Sequence, residues 1–280
     1  MKRLRTPLTY YGGKQRMLTH ILPRIPPHEL YTEPFCGGAA VFWGKPPSPV
    51  EVLNDRNGEI MNFYRQTKLN HAELAKLVSA TICSRRAYEI AAIIYFYPEL
   101  FEPVHRAWAV WTLANEGFAG QLAKSWGYCN KPTVRGVDSH TRKIASKKEQ
   151  YLEKDEDGAS LMAKRLEYVQ IENVDALTIL RNRNEDYAFH YVDPPYVDSH
   201  QGHYEGYTHK DFDELLQTLA LVKGKFLLSC YDNATMREYA GVNGWVVETF
   251  DQPLVAAKQK DGKRPRKTEC LVRNYEVLTK

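Results

Sequence analysis

The amino-acid sequence predicts an α/β protein with a doubly wound, mainly parallel sheet and a mainly helical domain inserted into it. An apolar run, Ala188–Val192, is typical of a strand buried on both faces, and Asp193-Pro-Pro-Tyr196 ends it abruptly. Another strand begins at Leu30 and runs into a glycine turn that opens a helix. The interval between Asp55 and Asp193 is far longer than such a sheet needs between its second and fourth strands.

The segment before the first strand places two tyrosines and two glycines ahead of a predicted amphipathic helix. Tyr10 and Tyr11 precede the glycines, and Lys14 stands at the start of a helix expected to reach Leu22. Glycine lets the backbone approach a ligand closely, and a tyrosine ring can face a cation or a purine. A plain turn into a surface helix explains the same residues, so the segment alone does not decide between the two.

The first predicted strand ends in a turn of small residues, Glu33-Pro34-Phe35-Cys36-Gly37-Gly38, followed by Ala39 and a helix. The arrangement is that of a nucleotide-binding turn, but the spacing is not Gly-x-Gly-x-x-Gly. A dinucleotide needs amides around its pyrophosphate, whereas a cofactor without phosphate needs close approach and an acid for its charged end. Glu33 is the predicted acid, and Cys36 is expected to pack as a small residue rather than to act as a nucleophile.

A second short strand, Val50–Asp55, also ends in an acid. Asp55 follows Gly37 at nearly the interval of about twenty residues at which such sheets place a carboxylate on ribose hydroxyls. After the glycine turn, this spacing supports a role for Asp55 in cofactor binding. A helix is predicted over Gly58–Leu69.

The long interval that follows predicts an inserted domain whose first half is helical. Trp108 and Trp111, three residues apart, are expected in its core rather than against a ligand. The predicted helices cover His71–Ile82, Arg85–Phe96 and Pro103–Phe118. A strand over Tyr168–Asp175 then returns the chain to the sheet.

The second half of the insert, Lys124–Lys148, is basic, turn-rich and interrupted by aromatic side chains. This composition favours a nucleic-acid contact surface over an ordinary solvated face. A second basic run, 258–267, carries six basic residues and one acid between the last two predicted strands, Trp245–Phe250 and Glu269–Leu278. The residues predicted to contact nucleic acid are Lys124, Trp126, Lys131, Arg135, Tyr204, Lys263, Arg264 and Arg266.

The tetrad Asp193-Pro194-Pro195-Tyr196 suits the chemistry of a planar amine. The amino group of a base is a poor nucleophile because its lone pair is delocalised into the ring. Asp193 and the Pro194 carbonyl can each accept one N–H bond, which favours the pyramidal nitrogen whose lone pair can attack. The prolines stiffen the backbone and Tyr196 can stack on the ring. A strand followed by a proline-rich turn is the simpler interpretation of the tetrad alone.

The polar segment after the tetrad contains three histidines, His200, His203 and His209, but no carboxylate or cysteine completes a familiar metal-binding spacing. The segment is predicted to close over a bound base, with Tyr204 and Tyr207 available for stacking. Helices over Lys210–Val222 and Ala234–Tyr239 are predicted on either side of a buried strand, Phe226–Cys230.

Composition agrees with an intracellular protein that acts on nucleic acid. The chain of 280 residues is 43% hydrophobic and 26% charged, with a formal net charge of +4. Its five cysteines are scattered and form no Cys-x-x-Cys pair, which argues against a disulfide framework or a zinc site. The basic amino terminus is not followed by an apolar signal region, and no apolar run approaches membrane-spanning length. A cytoplasmic location is therefore expected.

Taken together, these motifs resemble the DNA adenine-N6 methyltransferases of the Dam type. Tyr10 to Lys14 resembles that family's amino-terminal motif on the methionine side, Glu33 to Gly38 its S-adenosylmethionine loop, and Asp55 its ribose-binding acid. Asp193 to Tyr196 is similar to its catalytic tetrad, and Thr268 to Tyr275 to its closing strand. The sequence departs from the family in having Tyr10 where many members carry Trp, and Ala39 where a second spaced glycine is common.

The resemblance implies a Rossmann-like methyltransferase sheet with an inserted DNA-recognition domain. It assigns residues 1–68 and 166–280 to the methyltransferase domain and 69–165 to the insert. It also implies S-adenosylmethionine as methyl donor, a flipped adenine in double-stranded DNA as substrate, and no metal. An RNA or cytosine-N4 methyltransferase and an inactive DNA-binding homologue stay open as alternatives. The target sequence, the oligomeric state and membership of a restriction-modification or phage system also stay open.

Overall fold

The computed structural model describes residues 4–129, 139–197, 206–253 and 266–277. The strands in these residues are β1 (Leu30–Glu33), β2 (Val50–Asn54), β3 (Gln170–Glu172), β4 (Ala188–Val192), β5 (Lys225–Tyr231), β6 (Val246–Pro253) and β7 (Arg266–Arg273). The α-helices are α1 (Leu18–Ile21), α2 (Ala40–Gly44), α3 (Gly58–Leu69), α4 (His71–Ala80), α5 (Arg85–Phe96), α6 (Pro103–Glu116), α7 (Ser139–Leu152), α8 (Leu161–Leu166), α9 (Ala176–Asn182), α10 (His209–Ala220) and α11 (Ala234–Asn243).

Contacts divide the chain into two compact units. The first unit comprises Met1–Arg16, Gly37–Pro47 and Asn57–Asn173, and the second comprises Met17–Cys36, Ser48–Arg56 and Val174–Lys280. All strands except β3 belong to the second unit.

The six strands of the second unit lie in the order β2-β1-β4-β5-β7-β6. β2, β1, β4 and β5 are parallel, whereas β7 is antiparallel to both β5 and β6. A parallel region with helical connections and an antiparallel edge confirms the predicted α/β fold of the Rossmann-like type.

Side chains of both sheet faces are buried in this unit, as the apolar run of β4 predicts. All five residues of β4 are buried. On one face, Val192 of β4 and Leu228 of β5 pack with residues of α10 and α11, including Phe212 and Met236. Leu30, Val52, Ile179 and Ala188 form a smaller cluster on the same face, and Phe189 and Tyr191 of β4 are buried on the other. Packing in this core holds the carboxyl ends of the parallel strands in position.

The first unit is helical, with α6 packed against α3, α4 and α5. Trp111 of α6 is fully buried, as predicted. Trp108 is only partly buried, and its indole N–H donates to the Thr81 hydroxyl over 2.7 Å. Two helices have the predicted bounds because they carry strong start signals: the Asn57 side chain caps α3 and the Ser84 side chain caps α5.

Several predicted elements differ from the structure, among them the following. The helix expected from Lys14 to Leu22 is reduced to 3-10 turns and the single turn of α1, because Pro23 follows closely. The strand expected over Tyr168–Asp175 contains only β3, since the Asp175 side chain already caps α9. The last strand begins earlier than predicted, at Arg266, and ends at Arg273.

The prediction of a turn-rich Lys124–Lys148 segment is wrong for its second half, which forms α7. Three lysines of this helix donate to backbone carbonyls elsewhere in the first unit: Lys143 to Asn115 over 3.1 Å, Lys147 to Thr6, and Lys148 to Thr81. Burial lowers the pKa of Lys147 to about 8. These ammonium groups are therefore partly used in holding the unit together. The domain boundaries at residues 68 and 166 stay a prediction.

Candidate active site

Three acidic side chains lie at one edge of the parallel sheet in the second unit. Thr32 of β1 is paired with Val52 of β2 and with His190 of β4, so the three strands end at the same level. Glu33 is the last residue of β1, Asp55 follows β2 and Asp193 follows β4. Parallel strands present their carboxyl ends on the same side, which is where open α/β sheets bind ligands.

The loop after β1 is held by Asn54, the last residue of β2. Its side-chain amide donates to the carbonyls of Pro34, over 2.8 Å, and Val174, over 3.1 Å. Its side-chain oxygen accepts from the Val174 N–H over 2.9 Å, and its backbone carbonyl accepts from the Cys36 N–H over 2.8 Å. The hydrogen bonds of the buried, uncharged Asn54 side chain therefore hold the conformation of this loop.

The acids set the protonation of their neighbours. Glu33 and Asp55 are almost fully buried, and the Tyr31 hydroxyl donates to Glu33 over 2.6 Å. Burial, followed by the charges of Asp55 and Glu33, raises the pKa of the Cys36 thiol well above its ordinary value. The thiol is therefore protonated at neutral pH and is not an activated nucleophile.

The tetrad directly follows β4, and its tyrosine lies against β5 and β7 of the sheet. Asp193 and Tyr196 are partly buried, whereas Pro194 is buried. The Tyr196 ring meets Tyr231 of β5 edge to face, with centroids 4.4 Å apart. Both tyrosines line a cavity of about 280 Å³ together with Pro195 and Thr268. An engineered cavity of about 150 Å³ holds benzene, so this volume is sufficient for a base.

Two residues that contact the tetrad were not identified from the sequence. The Tyr196 hydroxyl lies 2.8 Å from the Ser229 hydroxyl and donates to Glu269 over 3.0 Å. Both partners are buried polar residues within strands, β5 and β7. A polar side chain inside an otherwise apolar strand was the available signal, because such groups are buried only with hydrogen-bond partners.

In the first unit, the tyrosine-glycine segment packs on the glycine turn. A Cβ atom at Gly38 would lie 3.1 Å from the Tyr10 Cβ, and the Thr6 hydroxyl donates to the Gly38 carbonyl. Tyr10 is buried and Tyr11 is partly buried. Lys14 is also buried, and its ammonium donates to the Gly12 carbonyl over 2.9 Å. A side chain at Gly38 would therefore require Tyr10 to move by a few tenths of an ångström.

Asn115, at the end of α6, holds the same segment. Its side-chain oxygen accepts from the Thr9 N–H over 3.1 Å and from the Thr9 hydroxyl over 3.0 Å. Its amide donates to the Pro7 carbonyl over 3.0 Å. The predicted insert therefore carries one of the residues that shape the predicted cofactor segment.

The predicted DNA-contacting residues have different surroundings. Lys124 is exposed. Trp126 is partly buried among first-unit residues: the Arg85 guanidinium lies 4.9 Å from its ring centroid and Tyr128 stacks on it at 6.0 Å. Arg266 forms an ion pair with Asp251 across the β6–β7 pair. The remaining five, Lys131, Arg135, Tyr204, Lys263 and Arg264, lie outside the described residues.

The described part of the chain contains neither a metal-binding cluster nor a membrane-spanning helix. No group of three His, Cys, Asp or Glu side chains there is arranged to hold a metal ion. None of the described helices combines the length and apolar character needed to cross a membrane.

Comparison with known proteins identifies one family and one relative to which this chain is similar. The family described as D12 class N6 adenine-specific DNA methyltransferase matches residues 10–98 and 127–248. A shorter segment of 69 residues is 41% identical to the Type II methyltransferase M1.LlaDCHI of Lactococcus lactis subsp. cremoris. That segment covers 24% of this chain and 24% of the relative. Because the family match spans well over half of the sequence, this chain belongs to the D12 class of N6 adenine-specific DNA methyltransferases.

Proposed function

We propose that this protein transfers a methyl group from S-adenosylmethionine to the N6 amino group of an adenine flipped out of double-stranded DNA. The observation that carries the proposal is the position of Asp193-Pro-Pro-Tyr196 at the carboxyl end of β4, level with two further acids. Membership of the D12 family supports the same reaction. A flipped base is required because the N6 atom cannot be reached while adenine is stacked in the duplex.

The acidic edge of the second unit fits the proposed methyl donor. S-adenosylmethionine, when bound, supplies an electrophilic methyl group on a sulfonium centre. Its ribose hydroxyls suit the Asp55 carboxylate, and its positively charged end suits Glu33. The other residues proposed to contact this cofactor are Tyr10, Tyr11, Lys14, Pro34, Phe35, Cys36, Gly37, Gly38 and Asp193.

Asp193 and the Pro194 carbonyl are proposed to act on the nucleophile. Each accepts one N–H of the adenine amino group, so the nitrogen becomes pyramidal and its lone pair is directed at the transferred carbon. These acceptors are fixed before the substrate arrives, because two prolines stiffen the turn. As the new N–C bond replaced the carbon–sulfur bond of the donor, which would leave as a neutral thioether, the nitrogen would gain a positive charge, and the Asp193 carboxylate would stabilise that charge until a proton is released to solvent.

The role of the Tyr196 ring is to stack on the flipped adenine within the 280 Å³ cavity that it lines. Contacts to the DNA backbone are proposed for the basic residues of the insert and of the 258–267 run. Exposed Lys124 can make such a contact directly. Trp126, which already stacks with Tyr128, is a weaker candidate for contact with a base.

The test begins with expression in a host that lacks DNA methylation, followed by sequencing of the host DNA for modified bases. N6-methyladenine at a defined sequence is the expected result, and it also provides the substrate for kinetics. Absence of modified adenine, with folded protein present, would reject the proposed reaction. Methylcytosine would point to the cytosine-N4 alternative.

The second step is the Asp193→Ala variant, measured in single-turnover transfer at saturating cofactor and DNA. Loss of one preorganised acceptor typically reduces the rate by about 10²–10³, so at least a hundredfold loss is expected with DNA affinity near that of the parent. Asp186→Ala is the matched control, because Asp186 is an exposed acid just before the same strand. Transfer by Asp193→Ala within tenfold of the parent rate would show that the tetrad is only a turn.

A further inference from the structure

Three polar side chains meet beneath the tetrad tyrosine in the second unit. The Tyr196 hydroxyl lies 3.0 Å from Glu269 Oε1, and the Ser229 hydroxyl lies 2.9 Å from the same oxygen. The two hydroxyl oxygens are 2.8 Å apart. Ser229 is fully buried and Glu269 is 8% exposed. The three groups therefore form a closed triangle that is largely removed from solvent.

The strand register explains why these residues meet. Glu269 of β7 is directly opposite Tyr231 of β5, so the two side chains project from the same face of the sheet. Ser229 precedes Tyr231 by two residues and lies on that face as the diagonal neighbour of Glu269. β4 is the other neighbour of β5, and the turn that follows it brings Tyr196 over this face.

The number of protons in the triangle identifies Glu269 as the acceptor. Each hydroxyl carries one proton, and an ionised carboxylate can only accept. Burial, with the charges of Asp193 and Glu269, raises the pKa of Tyr196 well above its ordinary value, so the phenol keeps its proton. Glu269 therefore receives a charge-assisted bond from the tyrosine, which is about twice as strong as a neutral one.

Burying a carboxylate in a sheet lowers the stability of the folded state relative to burying an apolar side chain. The desolvation of the carboxylate opposes folding unless hydrogen bonds offset it, and an apolar side chain of similar size would pack there at lower cost. Its benefit is geometric, because a phenol bonded at its hydroxyl cannot swing about its Cα–Cβ bond. The ring of Tyr196 is thereby held between the Glu269 contact at one end and the Tyr231 edge on its side.

From this geometry we infer that Glu269 is a positioning residue for methyl transfer, which acts by fixing the Tyr196 ring as the wall on which the flipped adenine stacks. Ser229 supports the same carboxylate oxygen. The inference rests on the proposed function and adds to it a residue at a distance from the tetrad in sequence. It also assigns a chemical reason for an acid in the closing strand.

The test is a double-mutant cycle between Tyr196→Phe, which removes only the hydroxyl, and Glu269→Leu, which removes the acceptor. The measured quantities are the single-turnover methyl-transfer rate and the dissociation constant for DNA. A charged hydrogen bond supports an effect of about tenfold or more, so each single variant should transfer at least tenfold more slowly than the parent. DNA affinity should stay within threefold, and Glu269→Gln, which keeps an acceptor oxygen, should restore most of the rate.

The decisive result is the double variant. If Glu269 acts through the tyrosine hydroxyl, the double variant is no slower than the slower single variant, because the same bond is lost only once. Losses that multiply would overturn the inference, as would a Glu269→Leu rate within twofold of the parent. If Glu269→Leu does not fold, the cycle is run with Glu269→Met, which also removes the acceptor oxygens, and the same absence of multiplication is required of single effects of at least threefold.

The methyl-transfer activity of the parent protein distinguishes a failure of this inference from a failure of the proposed function. A parent that transfers no methyl group to DNA contradicts the proposed function, whereas an active parent with multiplying losses contradicts only the role of Glu269. The same cycle is also applied to urea unfolding without DNA or cofactor. Coupling between the two substitutions there is expected whether or not the protein methylates DNA, and its absence would also overturn the inference.

Discussion

The stability of the protein should depend on pH through His190, because this titratable side chain lies in the middle of the buried strand β4. The ring is fully buried, and its Nδ1 lies 2.7 Å from the Thr32 hydroxyl on β1. Its Nε2 has no hydrogen-bond partner among the described residues. Protonation would place a positive charge in the core with one N–H unsatisfied, so burial lowers the pKa of His190 to about 4.

The direction and size of this pH effect follow from the difference between the pKa of His190 in the folded state and in the unfolded state. In unfolded chains the histidine has its ordinary pKa of 6.5. Between these two values the unfolded state binds a proton that the folded state does not, so stability falls as pH decreases. From pH 7 to pH 5 this histidine alone should remove about 2 kcal/mol from the free energy of unfolding.

The measurement is urea unfolding of the parent, His190→Leu and Thr32→Val at pH 7 and pH 5, followed by circular dichroism. Other groups titrate equally in all three proteins, so only the differences between proteins matter. From pH 7 to pH 5 the free energy of unfolding of His190→Leu should fall by about 2 kcal/mol less than that of the parent. Thr32→Val keeps the imidazole, so its free energy of unfolding should depend on pH as that of the parent does. Equal losses for the parent and His190→Leu would refute the argument.

Two further predictions concern the first unit. Asn115→Ala removes the bonds to Thr9 and Pro7 and should lower the free energy of unfolding by about 2–3 kcal/mol. The control Asn62→Ala, which removes one bond to the Pro103 carbonyl and a longer one from Gln66, should lower it by less, and equal losses in urea unfolding would contradict the prediction. Burial raises the pKa of Glu116 to about 7 from 4.5, so its protonated form stabilises the fold and this contribution is lost as pH rises. Between pH 5 and pH 8 the free energy of unfolding of the parent should fall by about 2.5 kcal/mol more than that of Glu116→Gln. If the free energy of unfolding changed with pH in the same way in both proteins, the prediction would be wrong.

Local signals in the sequence were sufficient for the elements that carry the tetrad and the first helices. The apolar run and the two prolines predicted β4 and its end at Val192 correctly, because each is a property of adjacent residues. α3 and α5 also have the predicted bounds, since their capping side chains immediately precede them. The pairing of β1 with both β2 and β4 is a finding of the structure, and it brings Glu33, Asp55 and Asp193 to one edge of the sheet.

Helix α7 shows where the same reasoning failed. Its sequence is polar and charged, so it lacks the apolar periodicity that predicts a helix. Part of what stabilises it is distant in the chain: Lys143 and Lys147 donate to carbonyls of Asn115 and Thr6. Whether a lysine faces DNA or a buried carbonyl depends on which backbone groups lie next to it, and that is a property of the tertiary structure.

The sequence by itself therefore determined the fold class, the family motifs and the acid that heads the tetrad. The contact between Tyr196 and Glu269, 73 residues apart, was decided only by the tertiary structure. It requires β7 to lie antiparallel to β5 with Glu269 opposite Tyr231, and a shift of one residue would turn Glu269 to the other face of the sheet. Strand order and register depend on the packing of the whole sheet, so no local pattern could have placed this carboxylate beneath the tyrosine.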